Sequence, residues 1–188
     1  MKSRIACALF AMLVAHSVAN GVLSQAAGEK AAAFSLAEVK YFHRFTKDDQ
    51  HEYTPAGQEN LNAWTDMVTL RVYRNAKDGE GLASTANAVL ENYKANKAIV
   101  VKTTSLPRTR ERPAEHLIVV IFGRPEFIEV AFARFRMYEG VGSAVIYSHR
   151  IYGKNVEDAM SGWLDKNGPT TEGNLMKWDA MPKPLPVR

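Results

Sequence analysis

Apolar and polar residues first alternate in EVKYFHRF. Val39, Tyr41, His43 and Phe45 share one face there, and Glu38, Lys40 and Arg44 share the other with Phe42. TKDDQ reads as a polar turn, and HEYTP as a short extended piece that Pro55 stops. GQENLNAW carries no clear period beyond a possible helical turn. In TDMVTLRVY, Val68, Leu70 and Val72 alternate against Thr69 and Arg71, the signature of a half-buried strand. The period then changes. Leu82, Ala86, Val89, Leu90 and Tyr93 fall on one stripe of LASTANAVLENYKANK and predict an amphipathic helix. AIVVKTTS follows as a β-branched strand, and LPRTRERPA, framed by prolines, as an exposed loop.

A meander comes next. HLIVVIF, GRPE, FIEVAFARFRMY, EGVGS and AVIYSHRIY read as three antiparallel strands joined by short glycine-containing turns. HLIVVIF is apolar at every position after its histidine, which predicts cover on both faces. NVEDAMSGWLDKNG reads as a short helix. Asn155 would cap it, Asp158 takes the capping-box position, Val156, Met160, Trp163 and Leu164 form its stripe, and Gly168 with Pro169 stops it. Leu175 and Trp178 predict that the middle of the remaining tail docks on the body, ahead of the proline-rich end MPKPLPVR.

These elements predict an α+β fold, with helices segregated against one antiparallel sheet. Two strands, a long helix, a strand, a three-strand meander and a terminal helix resemble the Mog1p/PsbP-like fold, including exported bacterial members such as the DcrB family. The likeness covers roughly Phe34 to Gly168, with WTDMVTLRVY and the meander fitting best. It implies a small non-enzymatic accessory or binding protein, and no functional residue is carried over from it.

Composition adds a compartment. The 188 residues are 46% hydrophobic and 23% charged, a globular balance with room for one domain. Lys2 and Arg4 precede the apolar run IACALFAMLVA, which falls short of the roughly 20 residues of a membrane span. Residues 1–19 therefore read as a signal peptide cleaved near Ala19 or Ala26. Residues 20–33 form a flexible lead-in, 34–168 a single domain and 169–188 a tail. A periplasmic or secreted protein is expected, with no transmembrane anchor after cleavage. Cys7, the sole cysteine, would leave with the leader. The formal charge of +4 would fall to about +2 once Lys2 and Arg4 are gone, which does not argue for nucleic acid.

Chemistry-bearing motifs are sparse. HExxH, CxxC, GxSxG, P-loop and Rossmann patterns do not occur, and GEGLAS before the long helix is a weak phosphate signal. His43, His51, His116 and His149 are scattered, so neither a metal nor a cofactor is expected. The pairs Asp48/Asp49 and Glu126/Glu129 read as solvated acids.

Two basic features remain as candidate partner-binding surfaces. Arg108, Arg110 and Arg112 in PRTRERP suit carboxylates or phosphates. In FIEVAFARFRMY, Arg134, Arg136 and Tyr138 continue the face begun by Ile128, Val130 and Phe132. The strand would then outrun the core on that face, unless a bulge after Ala133 swaps the faces. Tyr147, Arg150 and Tyr152 would add to an arginine- and tyrosine-rich surface of the kind enriched at hot spots. The alternative is that the arginine stems lie over apolar surface with their heads in water.

The leading expectation is an exported protein that binds another protein, as an envelope-complex component or an immunity-type protein. A small-ligand carrier or enzyme, with a pocket between the sheet and the long helix, is the alternative. A structural piece of a surface apparatus is a third class.

Overall fold

The computed structural model describes residues 31–182; the expected leader, most of the lead-in and the last six residues lie outside the described part. Eight strands form one sheet in which every neighbouring pair is antiparallel. In chain order the elements are β1 (Phe34–Leu36), β2 (Val39–Lys47), β3 (Gln50–Pro55), β4 (Asp66–Tyr73), α1 (Gly79–Ala95), β5 (Ile99–Leu106), β6 (Glu115–Gly123), β7 (Phe127–Tyr138), β8 (Val141–Tyr152) and α2 (Glu157–Lys177). Across the sheet the order is β1-β2-β3-β4-β8-β7-β6-β5. The expected α+β class and the meander are both present.

The helices lie on opposite faces of the sheet, and β7 shows why. Its regular pairing with β6 and β8 keeps strict alternation through Arg134, with no bulge after Ala133. Ala131, Ala133 and Phe135 join Leu82, Ala86, Val89 and Tyr93 of α1 in one core. Ile128, Val130 and Phe132 join Met160 and Leu175 of α2 in another. HLIVVIF is divided likewise, with Leu117 and Val119 in the second core and Ile118, Val120 and Phe122 in the first. Two covered faces remove any need for polar residues in that strand.

Three local expectations are corrected. Phe34–Leu36 is a strand, tied to β2 through a two-residue turn at Ala37 and Glu38, both in the left-handed region. In β2 the register shifts between His43 and Phe45, which takes Phe45 out of the expected alternation, and the expected face is unevenly covered: Tyr41 is buried while Val39 and Phe45 are exposed. The largest difference is α2. It neither begins with an Asn155 cap nor stops at Gly168. Asn155 has φ 55, Val156 is the N-cap without a side-chain bond, and the helix runs through Pro169 to Lys177. An interior proline costs about 3 kcal/mol of helix propensity. Burial of Met160, Leu175 and Trp178, with partial cover of Trp163 and Leu164, provides the tertiary compensation. The boundary expected at residue 168 therefore falls inside a helix.

Glycine is required by close approach at Gly142, where a Cβ would run into the Ala76 side chain; the Gly142 amide donates to the Ala76 carbonyl at 2.7 Å.

Candidate functional site

The arginine stripe of β7 is a contact surface, and this chain's own C-terminal segment occupies it. Arg134 is 2% exposed, which corrects the expectation that it lies beyond the core. Its guanidinium donates to both Glu115 carboxylate oxygens, at 2.8 and 3.0 Å, and to the carbonyls of Leu175 and Trp178, each at 2.8 Å. Those carbonyls close α2, so a planar, permanently charged fork caps the helix C-terminus from the sheet. Arg136 donates to Asp179 at 2.7 Å, and Tyr138 to the Met181 carbonyl at 3.0 Å. The Arg136 hydrogen bond, ahead of opposing desolvation, holds the Asp179 carboxyl below the usual range. Residues 178–181 form a strap along the stripe, and the docking expected of Leu175 and Trp178 is present.

The remaining β8 candidates do not extend that stripe. Antiparallel register sets Arg134 and Arg136 opposite Val145 and Ser143, whereas Arg150 and Tyr152 stand opposite Glu129 and Phe127 at the other end of β7. Arg150 donates to Glu129 at 2.9 Å, and its guanidinium carbon lies 3.8 Å from the Trp64 ring centre and 4.1 Å from that of Phe127. The Tyr152 hydroxyl donates to the Trp64 carbonyl.

Tyr147 belongs to a cluster that the sequence did not announce. The pairing of β4 with β8 sets Asp66 opposite His149 and Val68 opposite Tyr147. Asp66 Oδ1 accepts from the Tyr147 hydroxyl at 2.6 Å and lies 3.0 Å from His149 Nδ1. The His149 ring stacks on Trp163 of α2, with centroids 4.2 Å apart. Burial alone would raise the Asp66 carboxyl, but hydrogen bonds from His149, Tyr147 and Thr65 outweigh it and hold the group below the usual carboxylate range. Burial, and then the nearby Asp66 charge, push the hydroxyls of Tyr147 and Tyr41 far above the usual phenol range.

A cavity of about 190 Å³ opens beside this cluster, walled by Leu36, Val39, Tyr41, Asp66, Tyr147 and Leu175. It lies under the second half of α2. This cavity lies on the face opposite α1, the long helix against which a pocket was expected; on the α1 side Leu82, Ala86, Val89 and Tyr93 pack against the sheet.

The other histidines lie elsewhere. His43, Thr46 and His51 form a short chain, with 2.7 and 2.8 Å contacts to the threonine hydroxyl. Burial, then the neighbouring His43, lowers the pKa of His51; burial lowers that of His116. Asp49 pairs with Arg74 and Glu129 with Arg150, so each belongs to an ion pair. At the start of α1 the Asp78 carboxylate accepts from the Gly81 amide, which places an acid where GEGLAS would have held a phosphate.

The outer edge of the sheet differs from the rest. β5 is the last strand, and Ile99, Val100, Val101 and Leu106 are all exposed, Ile99 to 66%. Arg108, Arg110 and Arg112 follow it directly in an exposed loop. No helix among the described residues is long and apolar enough to cross a membrane.

Comparison with known proteins gives a family and a fold likeness. No curated protein sequence matches the chain. Among solved structures the chain is similar to a point mutant of protein Mog1, with TM-score 0.46 and 9% identity over 73% of this chain and 84% of that one. It is similar to the Saccharomyces cerevisiae Ran-binding protein Mog1p, with TM-score 0.43 and 9% identity over 73% and 83%. Human STARD10 follows with TM-score 0.31 and 6% identity over 73% and 74%. No residue role is transferred from these likenesses. A protein-family model matches residues 34–177, from β1 to the last residue of α2, and the chain belongs to that family.

Proposed function

We propose that this is an exported, non-enzymatic binding protein whose working surface is the outer edge of β5, unpaired among the described residues, with the arginine loop that follows it. The observation that carries the reading is the character of that edge. Natural edge strands are kept short, charged or covered, because unpaired backbone groups recruit other strands. β5 is eight residues long and presents four exposed apolar side chains, and its one charged residue, Lys102, is engaged by Glu172 of α2. An extended segment of a partner adding to this edge would satisfy the backbone groups and cover Ile99 and Val101. Arg108, Arg110 and Arg112 would then meet acidic residues beyond the end of that segment.

Export rests on Lys2, Arg4 and the apolar run that follows, and an accessory role in an envelope complex or as an immunity-type protein fits that compartment. The test is capture from an envelope extract with the full-length protein as bait. Wild type is expected to retain a stoichiometric partner that Ile99→Asp plus Val101→Asp loses and that replacing the three loop arginines by alanine weakens. Equal retention by all three baits would refute the assignment of the surface. Mass spectrometry of the periplasmic fraction should find a chain beginning at Asn20 or Ala27; an intact leader on cytosolic protein would refute export.

A further inference from the structure

We propose that the cavity beneath the second half of α2 is a binding site for a small amphiphilic amine, with the ammonium against Asp66 and the apolar body against Leu36, Val39 and Leu175. This site is separate from the β5 edge, and neither depends on the other.

The head group follows from the polar atoms that line the cavity. Among the described residues Asp66 is the one charged residue in its wall, with no lysine or arginine lining it. Oδ1 is occupied by Tyr147 and His149, while Oδ2 meets only the Thr65 hydroxyl, at 3.1 Å, among the described residues. A carboxylate has about four lone-pair positions, so Oδ2 keeps acceptor capacity for a further donor. Tyr41 supplies a second, independent sign. It is 3% exposed and forms part of the cavity wall, yet its hydroxyl has no hydrogen-bond partner among the described residues. The hydroxyl is not sealed off in the core, so as part of the cavity wall it is left to bond water or a guest. An ammonium carries three donors, enough for Asp66 Oδ2 with others to spare, and the tyrosine rings attract cations through their faces. An anion would meet only the Asp66 charge.

Size sets the body. An apolar cavity of about 150 Å³ accommodates benzene, so 190 Å³ suits one ring or a branched chain of similar bulk with a short amino arm. Thr171 and Asn174 line the cavity from α2.

Benzylamine, benzyl alcohol and benzoate separate these features. Each is titrated into isotopically labelled full-length protein while the backbone amide signals of the cavity residues are followed by NMR. Benzylamine is expected to shift them saturably. Benzyl alcohol should bind about tenfold more weakly or worse, the worth of one charge-assisted hydrogen bond, and benzoate should not bind. Asp66→Asn should lose the same factor. Because that variant also disturbs the Tyr147 and His149 bonds, Thr171→Trp provides a second route by plugging the cavity without touching the carboxylate. It is expected to abolish the shifts while leaving the melting temperature near that of wild type. Equal binding of benzylamine and benzyl alcohol, binding of benzoate, no saturable shift with benzylamine, or undiminished binding by a folded Thr171→Trp variant would each overturn the proposal.

Discussion

Arg134→Met tests whether the fork that joins β7 to α2 and the strap is a principal stabiliser of the domain. Methionine keeps much of the stem volume and removes all four donated hydrogen bonds. Glu115, also buried, would be left as a carboxylate without its cation, and the Leu175 and Trp178 carbonyls would lose a charged donor. Breaking a buried ion pair from one side costs about 3–5 kcal/mol, chiefly because of the charge left behind. The two carbonyls sit at a helix end that water can reach once the strap loosens, so they add little further. A loss of about 4 kcal/mol follows, a large fraction of the roughly 5–15 kcal/mol that holds a domain together. In urea, with a slope of about 2 kcal/mol per molar, the midpoint should fall by about 2 M. Adding Glu115→Leu removes the stranded charge and should restore about half of the loss, a non-additivity that a double-mutant cycle measures directly. Arg134→Lys keeps the charge but has no planar fork for four acceptors, and should fall between wild type and methionine. Hydrogen exchange at residues 175–181 gives the local readout, with protection lost in Arg134→Met. A destabilisation below about 1 kcal/mol, or an Arg134→Met strap still protected like wild type, would refute this reasoning.

Other expectations follow from the same structure. Gly162 and Gly173 lie inside α2 with open space where a Cβ would stand, so alanine at each should raise stability by about 0.5–1 kcal/mol in urea melts. Gly142→Ala should lower stability by about 1–3 kcal/mol, because the new methyl meets Ala76 and Leu82. His51 and His116 have pKa values depressed by burial, so both folded-state rings favour the neutral form. Their contribution is complete above the unfolded value of about 6.5 and is lost as pH falls through the folded values. Urea midpoints should therefore decline below that pH, and His51→Gln should flatten the decline. Asp66, whose pKa is also depressed, retains its contribution until the pH drops below about 3.9.

The strap gives the C-terminal segment a structural role. Phe34 of β1 packs against Trp178, with ring centres 5.0 Å apart, so the first strand and the last described segment meet over the same core. Removing residues 178–188 should expose Arg134, Arg136 and the apolar surface under Trp178 together. Binding of a hydrophobic dye by the truncated chain, absent in wild type, checks this; equal dye binding would show that the strap covers nothing that matters.

Most of the elements were legible because they are governed by near neighbours. Alternation in β4 and β7, the stripe of α1, the unbroken apolar run of β6 and the short turns of the meander are all set by which residues lie two, three or four positions apart. The sequence also specified that Arg134, Arg136 and Tyr138 share a face with Phe132, since the side-chain period of a strand leaves no other choice without a bulge. What that face meets was decided elsewhere in the chain. Arg134 is buried because residues 175–178, more than forty positions away, return to it. Pro169 sits within a helix because contacts on both sides of it hold the backbone together against local preference. The site cluster has the same origin: Asp66 and His149 carry no motif between them, and only the lateral pairing of β4 with β8 makes them neighbours. Likewise, AIVVKTTS reads as a strand from its own residues, but its position at the edge follows from the order in which all eight strands pair. Local periodicity therefore determined the elements and their faces, while burial, the cavity and the exposed edge arose from long-range pairing.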